Sequence, residues 1–198
     1  MTDLQDQNRF HVHQKKTLMS NRYRVFLDEE GKPGELVALV EQSRSSIKDH
    51  VLIYTGVDKE TVLAEFKARK FIDTKRTFDV FTPEGTELGF FHKDFGKSLY
   101  RSTWTLEPTD QSPIIVSERS KKLAIVRRLW NFLPLPGDIE LPFPGRYHFD
   151  FTRGETVVGG VDKTARWSDH YLAHIEDMNL DRRLVIAMAV ALDALQGR

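Results

Sequence analysis

The sequence predicts a mainly β fold, a closed antiparallel barrel enclosing a buried C-terminal α-helix. Three observations predict it: apolar residues recur with period two, turn chemistry interrupts them at fairly even intervals, and one late apolar segment lacks that alternation. Tyr23, Val25 and Leu27 share one strand face, Val62, Ala64 and Phe66 another, and Tyr147, Phe149 and Phe151 a third.

Taken in order, residues 1–8 are polar and read as a flexible N-terminus, with 9–198 forming one barrel domain. Turn sequences then join apolar runs at Asp28–Gly31, Thr55–Asp58, Thr82–Gly85, Pro108–Asp110 and Thr152–Gly154, which gives about five hairpins. Two of these resemble each other closely. Phe78-Asp79-Val80, Gly85, Leu88-Gly89 and Lys93 recur as Phe149-Asp150-Phe151, Gly154, Val158-Gly159 and Lys163, the expected mark of a meander built from similar ribbons.

Between the last two hairpins lies an insertion, 121–145. Leu123, Ile125, Val126, Leu129, Trp130, Phe132 and Leu133 precede Pro134, Pro136, Pro142 and Pro144, the pattern of a short helix followed by a proline-rich crossover. The final element is a helix over 181–196. Asp181 is a good N-cap, and Leu184 to Leu195 is apolar on nearly every side, so it must be enclosed. Its 12 positions are too few to span a bilayer, which needs about 20. Ala187, Ala189, Ala191 and Ala194 keep it slim, and a closed barrel around it also removes exposed sheet edges.

The composition excludes several functions. Among 198 residues, 29 Lys+Arg balance 29 Asp+Glu, which argues against nucleic-acid binding through an overall basic field. There is no cysteine, hence no disulfide, thiolate metal site, cysteine nucleophile or lipidated thiol. Met1 to Asn8 lacks a cationic stretch followed by an apolar run, and no transmembrane helix is expected, so the chain reads as cytoplasmic.

The chemical motifs are incomplete. Phe95-Gly96-Lys97-Ser98 resembles the end of a phosphate-binding loop, but Phe91 stands where the first Gly belongs. Ser168-Asp169-His170 contains triad residue types, yet neighbours on a strand point to opposite faces and cannot form the relay. Of seven histidines, His11 and His13 share a strand face without a visible third ligand, and His170 and His174 would lie roughly 13 Å apart. Asp177-Met178-Asn179-Leu180-Asp181 has the start of a calcium-loop spacing, but Arg182 and Met188 occupy the positions that need Gly and Glu. The expectation is therefore no metal, no cofactor and no enzyme.

The segment after Lys121 carries the strongest binding signal. Lys121, Lys122, Arg127 and Arg128 flank an apolar set containing Trp130 and Phe132, the composition of a helix in a membrane interface. The same composition suits a helix that covers one barrel end with its arginines in water.

Phe10-His11-Val12-His13-Gln14-Lys15 and Asn21-Arg22-Tyr23-Arg24-Val25 resemble the opening of LURP-one-related proteins, which group with phospholipid scramblases and tubby C-terminal domains. Tyr147–Phe151, Asp169-His170-Tyr171 and the ending from Leu180 to Leu195 are similar to small bacterial scramblase-like members. The resemblance implies a twelve-stranded barrel around a central helix. It also implies a non-enzymatic module contacting anionic phospholipid or a membrane-associated partner, peripheral at the inner membrane face. Lys121, Lys122, Arg127 and Arg128 would meet headgroups, and Trp130 and Phe132 the interface. The alternative is a soluble protein-interaction or stress-regulatory module without lipid.

Overall fold

The computed structural model describes residues 4–16, 20–43, 50–69, 77–94, 102–120, 148–164 and 169–196. The strands are β1 (Arg9–Lys16), β2 (Ser20–Glu29), β3 (Lys32–Ser43), β4 (His50–Tyr54), β5 (Val62–Ala68) and β6 (Thr77–Phe81). They continue as β7 (Glu87–Lys93), β8 (Thr103–Pro108), β9 (Ile114–Glu118), β10 (His148–Arg153), β11 (Thr156–Lys163) and β12 (His170–Ile175), followed by helix α1 (Arg182–Gln196). Every strand pairs antiparallel with its sequence neighbours, and β1 pairs with β12 to close a barrel. All five hairpin turns expected from the sequence fall at the connections β2–β3, β4–β5, β6–β7, β8–β9 and β10–β11.

Alternation sorts the strand residues into an apolar lumen and a charged outer wall. Inward side chains from all twelve strands, from Phe10 on β1 to Ile175 on β12, form one buried cluster with α1. Residues Leu184 to Leu192 are each no more than 3% exposed, so the helix runs inside the barrel. The wall carries ion pairs between Arg22 and Glu41, Arg69 and Asp79, and Arg119 and Asp150. Such a surface suits water rather than hydrocarbon.

The expected repeat is present in the geometry. Asp79 and Asp150 each receive an arginine placed just past the preceding strand, Arg69 and Arg119. The backbone N–H of each arginine donates at 2.8 Å to the first residue of the next strand, Thr77 or His148. Gly89 and Gly159 then occupy matching positions opposite Val80 and Phe151, each beside a β-bulge.

The barrel end where α1 begins is built of tight turns plus the N-terminal segment. Leu4–Asp6 forms a 3-10 turn whose Leu4 packs against the core, a docking that the polar composition of residues 1–8 did not foretell. Gln5 Nε2 donates to the carbonyls of Met178 and Leu180, and its Oε1 accepts the Arg182 N–H. Asp181 caps α1 as expected, accepting the Arg183 N–H at 2.8 Å.

Candidate functional site

The two barrel ends differ in construction. Tight turns lie at the end where α1 begins. The strand ends on either side of residues 17–19, 44–49, 70–76, 95–101, 121–147 and 165–168 all lie at the other end, where α1 finishes. At that second end the lumen becomes polar. Asp193, the lone charge in the apolar stretch from Leu184 to Leu195, sits in the last turns of α1 and accepts hydrogen bonds from Tyr23 on β2 and Tyr171 on β12.

The network extends from there to two further strands and to Asp169. Gln14 on β1 donates to the Tyr23 hydroxyl at 2.9 Å, and Lys163, almost fully buried at the end of β11, reaches Asp169 at 3.2 Å. The Tyr171 hydroxyl lies 3.5 Å from the same Asp169 oxygen, linking the lysine pair to the helix carboxylate. Burial, reinforced by the adjacent Asp193 charge, pushes the Tyr23 phenol well above its ordinary range. The network fixes the helix end and ties it to β1, β2, β11 and β12.

The expected headgroup residues Lys121, Lys122, Arg127 and Arg128, with Trp130 and Phe132, lie outside the described residues. So do Phe95-Gly96-Lys97-Ser98 and Ser168. The described flanks of the insertion, Ser120 and His148, are at the polar end of the barrel.

The calcium-like spacing turns out to hold arginines. Asp177 pairs with Arg153 and accepts the Asn179 N–H, while Asp181 binds Arg183 and caps α1. Among the histidines, His11 meets Asp28 at 2.7 Å and His148 meets Asp162 at 2.7 Å. His13 stacks on His170. Among the described residues no group of three or more His, Cys, Asp or Glu is arranged to hold a metal ion. No described helix is long and apolar enough to cross a membrane.

The Tyr23–Asp193–Tyr171 network was missed by motif reading because no short motif contains it. Its signal was the single carboxylate at position 193 of an otherwise apolar, enclosed helix.

A family model described as LURP-one-related matches residues 36–193. No curated protein matches the chain.

Proposed function

The chain belongs to the LURP-one-related family, and from that premise we propose that it is a non-enzymatic barrel module that contacts anionic phospholipid, peripherally at the inner membrane face. The supporting observation is one of placement and composition together. Ser120 and His148, the described flanks of residues 121–147, lie at the polar end, and the sequence between them groups Lys121, Lys122, Arg127 and Arg128 with Trp130 and Phe132. Basic side chains are drawn to anionic headgroups, and an indole settles at the level of the interface. The barrel would serve as the rigid base from which this segment reaches the bilayer.

Co-sedimentation tests the reading with purified full chain and neutral or phosphatidylglycerol-rich vesicles, at low and high salt. Salt-sensitive binding to the anionic vesicles alone is expected. Absence of binding to either would overturn it and turn the search to a protein partner.

A further inference from the structure

β1 and β12 are joined by no local connection; their pairing is what converts a meander into a barrel. Five residue pairs hold it, from Arg9 opposite His174 to His13 opposite His170. The Gln14 N–H donates to Asp169 O and the Ile175 N–H to Asn8 O, which makes the alternate pair His13–His170 a non-hydrogen-bonded one. Side chains approach most closely at such positions. The two imidazoles accordingly stack with centroids 3.9 Å apart and planes 11° from parallel, with Phe26 of β2 packed on the other side of His13 at 5.2 Å.

We infer that this histidine pair is a pH-sensitive latch on the barrel closure: neutral rings hold β1 to β12 at the polar end, and protonation loosens that end. The surroundings offer little to compensate a new positive charge. On β1 the neighbouring outward groups are His11 and Lys15; on β2 they are Arg22, Arg24 and Asp28. Asp28 is engaged by His11, and Glu41 of β3 by Arg22 and Lys59. On the other side, Asp162 of β11 faces His148 and His174, and Asp169 reaches inward to Lys163. Among the described residues, each carboxylate near the pair is thus held by another base. In keeping with this, desolvation first, then His170, His11 and Arg24, bring His13 down to about 4.

Hydrogen exchange on the full chain tests the latch, with rates corrected for intrinsic pH dependence. Between about pH 7.5 and about pH 4.5, β1 and β12 amides should lose at least about ten-fold more protection than those of β8 and β9, whose segment 103–118 contains no histidine. His13→Phe keeps a stacking ring without a titrating group and should remove most of the difference. Equal loss in both regions, or the same differential loss in His13→Phe, overturns the inference. Should that variant not fold, the wild-type His13 ring titrated by NMR decides: protonation well below the usual histidine range supports the latch, and protonation within it overturns it.

Discussion

Tyr23 and Asp193 stand 170 residues apart in the chain and meet through a 2.9 Å hydrogen bond that ties the wall of the barrel to the end of its central helix. Tyr171 donates to the same carboxylate, so Asp193→Ala removes the acceptor that two lumen phenols share. Denaturant unfolding should show a loss of about 2–4 kcal/mol, against about 1 kcal/mol for Tyr23→Phe. The raised Tyr23 pKa has a defined sign: neutral phenol is favoured in the fold, so its stabilisation is intact below pH 10 and is lost as pH rises above that. Absorbance titration should find Tyr23 ionising only as the protein unfolds in alkali.

The repeated glycines make a paired prediction. A Cβ on Gly159 would lie 2.6 Å from the His174 carbonyl oxygen, and one on Gly89 closer still to that of Glu107. Both also have positive φ, 147° and 157° for Gly89 and Gly159. Gly89→Ala and Gly159→Ala should each cost about 2–4 kcal/mol, because backbone rather than a mobile side chain blocks the new atom. Gly85, in a turn with open space around it, should cost only about 1 kcal/mol on the same change. Equal melting temperatures for the three variants would contradict this ordering.

Arg182 is wholly buried at the opposite end of the helix, where its guanidinium donates to the carbonyls of Gln7, Asp177 and Leu180. Three carbonyls from two chain segments depend on one planar donor set, which a lysine ammonium cannot reproduce. Arg182→Lys and Arg182→Met should both destabilise by about 2–4 kcal/mol. Gln5→Ala should cost about 1 kcal/mol and speed proteolysis of the N-terminal segment.

Much of this fold was legible because alternation, turn residues and an N-cap are local signals. Asp181 capping α1 and the turns at Gly31, Gly85 and Gly154 are encoded by neighbours in sequence. The LURP-one-related resemblance was legible too, and the family match over 36–193 bears it out. The long-range polar contacts were not. Nothing near Gln5 announces Met178 and Leu180, and nothing near His13 announces His170, since barrel closure alone brings them together. The acidic spacing from Asp177 to Asp181 shows the converse: residue types suited to calcium were in place, but Arg153 and Arg183, one of them on a distant strand, occupy them.

Calcium and acid should therefore act differently on that turn. Although desolvation raises it, the Asp177 carboxyl is held below its ordinary value by Arg153, the Asn179 N–H and Arg182. Its contribution is present above the unfolded pKa and is lost as pH falls through the lower folded one. Asp177→Asn should lower the melting temperature at pH 7, with the difference closing as the pH falls below the ordinary aspartate range. Added calcium should leave the wild-type melting temperature unchanged, since binding would require breaking the arginine pairs; a clear rise would show that the ion displaces them.

The proposed membrane contact has two physically separable parts. Each basic residue near an anionic surface is worth up to about 1 kcal/mol, so replacing Lys121, Lys122, Arg127 and Arg128 by alanine should weaken vesicle partitioning by up to about 1,000-fold. That part is electrostatic and should fade as salt shortens the screening length to about 10 Å near 0.1 M. Trp130→Ala and Phe132→Ala remove apolar burial instead, and should weaken partitioning by similar factors at low and high salt. A binding isotherm measured at several ionic strengths distinguishes them: the quadruple variant should flatten the salt dependence, whereas the aromatic variants should shift it without changing its slope. If the quadruple variant binds anionic vesicles as the wild type does, the 121–147 segment is not the contact, and the charged outer wall of the barrel becomes the surface to mutate.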